Sequence, residues 1–101
     1  MSSRGSSPNT LKLRLYVAGA SPNSAAAISN LRALLEYHSP NSVELELVDV
    51  LVRPEDGLSA GILVTPTMVK VAPLPERRIV GNLRDTAALI SVLGLNEAKR
   101  G

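Results

Sequence analysis

Leu11, Leu13, Leu15 and Val17 alternate with Lys12, Arg14 and Tyr16. A period of two marks a strand with one apolar face, and the strand pattern runs from Leu11 to Gly19. Gly19-Ala20 turns the chain. Ser21 suits a helix cap, and Pro22 suits the first helical position, where no amide hydrogen is needed. The helical period then holds to about Tyr37, with Ile28, Leu31, Leu34 and Leu35 as the buried stripe and Asn30, Arg32 and Glu36 outside. His38-Ser39-Pro40-Asn41-Ser42 breaks it. Val43, Leu45 and Leu47 alternate with Glu44 and Glu46, and Val48 to Leu51 continues this second strand. A strand, a helix and a strand of these lengths predict a parallel pair with a right-handed crossover.

The second half is less regular. Pro54 with Glu55 and Asp56 predicts a short helix start, since acidic groups are favourable near a helix N-terminus. Gly57 and Gly61 each weaken that helix by about 0.8–1.0 kcal/mol relative to alanine. Met68, Val69, Val71 and Ala72 predict a third strand. Pro73-Leu74-Pro75 forces a turn, and Arg77 to Val80 predicts a short fourth strand bounded by prolines and Gly81. Asn82 is a candidate cap for a last helix, with Asp85 in its first turn. Leu89, Ile90 and Leu93 form its apolar side, Gly94 suits the left-handed position just past its end, and Leu95 suits the closing contact. The predicted order is βαβαββα in an α/β domain over 11–95, with 1–10 read as a disordered tail and 96–101 as a polar tail.

Composition narrows the function. The chain has 101 residues, and its 45% hydrophobic fraction suffices for a core; Tyr16 and Tyr37 are its only aromatics, so that core is aliphatic. Cysteine is absent, which removes thiol catalysis and disulfides and fits a reducing compartment. His38 is the sole histidine, too few for a recognisable zinc site. No apolar run approaches the ~18 residues of a membrane span. The N-terminus lacks the apolar stretch of a secretory signal, so the expected location is cytoplasmic. The net charge of +2 comes from 11 basic and 9 acidic residues. That balance, with so few aromatics for base stacking, argues against nucleic acid as a partner. No membrane partner and no cofactor is expected.

The motifs set a puzzle. A strand, then Ser21-Pro22-Asn23-Ser24 at a helix start, then Thr65-Pro66-Thr67 about forty residues on, resembles the layout of thioredoxin-like domains. In those domains a C-P-x-C turn holds the redox cysteines; here serines stand at both positions. A serine nucleophile needs a base within hydrogen-bond reach. His38 lies past the far end of the same helix, and sixteen or so residues at a 1.5 Å rise put it roughly 24 Å away. Ser21 and Ser24 therefore read as cap and first-turn residues, with weak anion binding at the helix start as the alternative. By the same analogy Pro66 is a candidate cis proline. Pro22, Pro66 and Gly81, with the two serines, are the residues expected to define the fold locally. Glu44 and Glu46 share a strand face and read as solvated. Lys70, Arg77 and Arg78 form the densest basic group, which a hairpin through Pro73-Leu74-Pro75 would draw together. They read as solubilising charge or as a patch for an acidic partner.

Taken with Leu15-Tyr16-Val17-Ala18-Gly19, Pro22-Asn23-Ser24, Val48-Asp49-Val50, Val64-Thr65-Pro66-Thr67, Lys70-Val71 and Arg77-Arg78-Ile79-Val80-Gly81-Asn82-Leu83, the chain resembles the KaiB family of small clock proteins. The resemblance covers about Leu11 to Leu95. It implies a non-enzymatic adaptor that binds a KaiC-type ATPase, helps sequester a KaiA-like protein and displaces a SasA-type histidine kinase. It also implies homo-oligomerisation, and two packings of the C-terminal half: a self-associating βαββααβ form and the thioredoxin-like form. Lys70, Arg77 and Arg78 match basic residues near the family's partner surfaces. Two departures stand out. The charges usual around Leu58 to Gly61 are nearly gone, and Val92-Leu93-Gly94 replaces a typical Gly-Leu-Asp. Valine for an interior glycine favours helix by a few tenths of a kcal/mol, which tilts the C-terminal half toward the thioredoxin-like packing. The role implied is in a clock or a clock-like stress pathway. The alternatives are the sensor domain of a SasA-type kinase, which shares the fold, and a thioredoxin-fold oxidoreductase using other chemistry.

Overall fold

The alternating run folds as β1 (Leu11–Val17), and the helical run as α1 (Pro22–His38). Then follow β2 (Val43–Asp49), α2 (Pro54–Ser59), β3 (Thr67–Ala72), β4 (Arg77–Val80) and α3 (Thr86–Leu93). These elements come from a computed structural model that describes residues 10–38 and 42–95. Both tail segments, 1–9 and 96–101, and the predicted breaker residues 39–41 lie outside the described residues. Thr10, assigned to the tail by the sequence, is buried, and its hydroxyl shares a 3.0 Å hydrogen bond with that of Ser42.

The sheet order is β2-β1-β3-β4. β1 and β2 run parallel in the register Leu11↔Val43 to Val17↔Asp49, so α1 is their crossover. β3 is antiparallel to β1, with Leu15 opposite Met68, and β4 is antiparallel to β3, with Lys70 opposite Arg77 and Val69 opposite Arg78. This is the predicted βαβαββα order.

Because strand side chains alternate, the register sorts the residues onto two faces. Leu11, Leu13, Leu15, Val17 and Met68 face α1 and α3. They close a core with Ala27, Leu31, Leu34, Leu35, Leu83, Leu89 and Leu93. Ala27, rather than the expected Ile28, is fully buried, and Ile28 sits at the core's edge. A small side chain at the helix–sheet contact shifts the buried stripe by one position. On the opposite face Tyr16, Val48 and Val69 form a second, smaller cluster, covered by Val50, Ala60 and Ile62. Val43 and Leu47 point to the α1 face but stay part exposed, because β2 is an outer strand.

α3 corrects one expectation. Its cap is Asp85, whose carboxylate accepts from the Ala88 amide at 3.1 Å. Asn82 instead accepts from the Arg84 amide at 3.1 Å, inside the preceding turn. The end of α3 is as expected: Gly94 has φ 71°, its amide donates to Ser91 O, and Leu95 donates to Ile90 O at 3.1 Å. α2 ends the same way, with Gly61 at φ 71° donating to Leu58 O and Ile62 donating to Gly57 O. Gly61 is thus the helix's stop signal rather than an interior weakness.

Candidate functional site

The C-terminal ends of β1 and β2 meet the start of α1, as a right-handed crossover requires. Here Ser24 is buried, and its hydroxyl accepts from the Ala18 amide at 3.1 Å. Its own amide donates to the Ser21 hydroxyl at 3.4 Å, while Ala25 donates to Ser21 O at 2.9 Å. Both serines are spent on closing the β1–α1 turn, and Pro22 opens the helix as predicted. His38 is at the other end of α1, edge-on to Tyr37 with ring centres 5.1 Å apart. Neither Ser21 nor Ser24 pairs with His38.

Asp49 is the residue the sequence reading overlooked. Its carboxylate accepts from both the Gly19 amide and the Leu51 amide at 3.0 Å, tying the β1–α1 turn to the end of β2. Within Val48-Asp49-Val50, an acid at a strand's C-terminal end beside a glycine turn is the signal that points to this role. Gly19 has φ 60°, and a Cβ there would lie 3.2 Å from Leu51 Cδ1, so the turn and Leu51 pack directly together.

The Thr65–Pro66 peptide bond is cis, and Pro66 is buried. The Pro66 carbonyl accepts from the Gly81 amide at 2.8 Å, and the Thr67 hydroxyl donates to Val64 O at 2.7 Å. Gly81 itself has φ 113°, which only glycine adopts readily. The residues expected to define the fold locally are therefore grouped at two turns of this molecule, the start of α1 and the Pro66–Gly81 loop pair.

What surrounds them is apolar. Leu51 and Val52 follow β2, Leu58 lies on α2, and Leu63 and Val64 lead into Thr65; all are exposed, Leu63 at 93% and Leu58 at 78%. Pro54, Gly57, Leu58, Ile62, Leu63 and Val64 line a groove of about 370 Å³ that reaches Thr65. α2 lies close over the end of β2 because of Gly57: a Cβ there would stand 2.9 Å from Val50 Cγ1. Exposed large apolar side chains clustered this way make this the candidate interaction surface.

The three basic residues do not form one patch. The register puts Lys70 and Arg77 side by side on the α1/α3 face, with Lys70 only 8% exposed. Arg78 points to the α2 face, where its guanidinium donates to Ala60 O at 2.5 Å and Gly61 O at 3.4 Å. On that same face Glu46 accepts from Arg14 at 3.1 Å and faces Arg53 at 3.7 Å, while Arg53 also pairs with Asp56. The buried Tyr16 beside Arg14, and then Glu46, hold the Arg14 guanidinium above its ordinary value. A raised basic group adds stability at every pH below its unfolded value, so this one brings no pH dependence near neutrality.

A family model for the KaiB domain matches residues 14–95. The chain belongs to the KaiB family. The circadian clock oscillator protein KaiB of Synechococcus elongatus is 43% identical over 86 residues, covering 85% of this chain and 84% of that one. The protein of the same name from Prochlorococcus marinus is 42% identical over 86 residues, covering 85% and 82%. The fold is likewise found in the N-terminal domain of Synechococcus elongatus SasA, with TM-score 0.71, 22% identity and coverage of 99% of this chain and 97% of that one. Oxidised mitochondrial thioredoxin 3 from Saccharomyces cerevisiae gives TM-score 0.68 at 16% identity, over 83% and 76%. The KaiB-family chain thus has a thioredoxin-like fold, with serines spent on a turn where thioredoxins keep a redox pair. Among the described residues no helix is long and apolar enough to cross a membrane.

Proposed function

We propose that this chain is a non-enzymatic, cytoplasmic KaiB-type adaptor that binds a KaiC-type ATPase and modulates its signalling output, in a clock or a clock-like stress pathway. A KaiA-like protein, a histidine kinase and further copies of the chain are its other expected partners. One observation carries the reading. The end of the molecule where this fold elsewhere presents a redox pair instead presents Leu58, Leu63 and Val64 around a groove, with Leu51 exposed beside the Gly19 turn and both serine hydroxyls accepting from backbone amides. Such a surface offers shape and apolar area to another protein and no group placed for chemistry. Arg77 lies exposed on the other face of the sheet and would serve a second, acidic contact, with Lys70 buried beside it.

The test is size-exclusion chromatography with a KaiC-type ATPase in its ATP and ADP states. Co-elution that is lost in Leu63→Ser supports the reading; no co-elution in either state sinks it. The SasA likeness favours a sensor domain as the second reading, but its 22% identity shows the fold alone, against 43% to KaiB. Oxidoreductase activity has no thiol to use here, and an insulin-reduction assay above background would revive it.

A further inference from the structure

α2 is too short to stand on its own. It spans six residues, Pro54–Ser59, and isolated helices below roughly 12 residues are marginal in water. No side chain caps its start at Arg53. Its last turn is closed by Gly61 and Ile62, whose amides satisfy Leu58 O and Gly57 O. The carbonyls of Ala60 and Gly61, the two residues just past the helix, both accept from the Arg78 guanidinium of β4. A cation at a helix C-terminus also meets the negative end of the helix dipole. Arg78 is aimed there by the register, since pairing opposite Val69 puts its side chain on the α2 face. Glu76 holds the guanidinium from the other side, at 3.4 Å from both Nε and Nη2. If β4 were unpaired, or paired one residue out of step, Arg78 would leave this face and the two carbonyls would lose their donor.

We propose that Arg78 is a positioning residue that latches the C-terminal turn of α2 to β4, so that the apolar face built on α2 and the loop after it is displayed only while β4 is paired with β3. Leu58 sits within the latched helix, and Leu63 and Val64 follow the latched turn directly. The latch makes the docking surface conditional on an edge strand of four residues at the opposite end of the sheet from β2. Its importance for docking rests on the function proposed above; the latch itself does not.

Native-state hydrogen exchange of the free, full-length chain tests it without any partner. In the wild type, the amides of Ala60, Gly61 and Ile62 open together with those of β4, with the same free energy and denaturant dependence. In Arg78→Ala those three exchange roughly fivefold faster or more, while Leu13, Leu15 and Met68 in the central strands do not change. Arg78→Lys, which keeps the charge but not the fork, restores part of the protection. Unchanged exchange at Ala60 to Ile62 in Arg78→Ala overturns the latch. So does an equal acceleration of α2 and the central strands. Where Arg78→Ala does not fold, the same comparison is made on Arg78→Lys. In co-elution with a KaiC-type ATPase, weakened docking with unaltered exchange would also overturn the latch and make Arg78 a direct contact. Selective exchange acceleration with no docking in the wild type would leave the latch standing and refute the proposed function instead.

Discussion

The two faces of the sheet differ in kind. Toward α1 and α3, leucines from β1, α1 and α3 close around Met68 and Leu15, and that interior is sealed. Toward α2, three buried residues, Tyr16, Val48 and Val69, lie under a six-residue helix, and beyond them Arg14 and Glu46 meet water. The first face has the buried area that hydrophobic stabilisation requires. The second spends its apolar residues outward, at Leu58, Leu63 and Val64. One side of the sheet holds the fold together, and the other holds a surface in place.

The largest effect should come from the sealed side. Leu15→Ala opens a cavity at a fully buried position and is expected to cost about 3 kcal/mol in urea denaturation. A cost under about 1 kcal/mol would mean that this side is not the stabilising one. Next comes the turn that joins both sides. Ser24→Ala leaves the Ala18 amide without its acceptor in a buried place and should cost about 1–2 kcal/mol. Full stability in that variant would show that the hydroxyl is dispensable and reopen its reading as a functional group.

Gly57→Ala sets two terms against each other on the α2 side. Helix propensity gains about 1 kcal/mol, while a Cβ 2.9 Å from the stiff Val50 side chain costs about 1–3 kcal/mol. The expected outcome is a net loss near 1 kcal/mol, seen as faster exchange in α2 before the rest of the chain. A stabilised variant would show that α2 is not packed this closely. The smallest effect belongs to the display surface: Leu63→Ser should change stability by less than about 0.5 kcal/mol yet abolish docking. A loss as large as that of Leu15→Ala would erase the distinction between the two faces.

Much of this was legible beforehand. The βαβαββα order, β4 at Arg77–Val80 and the Gly94–Leu95 ending of α3 follow from periods and stop signals, which act within a few residues. The site was half legible. Ser21, Pro22, Ser24, Pro66 and Gly81 stand out in the sequence because turns demand particular residues. Asp49 was not singled out, because its Gly19 partner lies 30 residues away along the chain. Asn82 and Asp85 are both good caps, and no local rule chooses between them; the entry of the chain into α3 does.

Sequence alone was enough to establish the elements, the family and the absence of thiol chemistry, since these depend on residue type and spacing. It grouped Lys70, Arg77 and Arg78 together, whereas the register divides them between the two faces. Only the tertiary structure decided which face carries α2, and so which arginine reaches its carbonyls. It also decided that Gly57 is there for close packing and that Leu58, Leu63 and Val64 stay outside. Those outcomes depend on the register between strands distant in the chain, where a shift of one residue exchanges every side chain's neighbours.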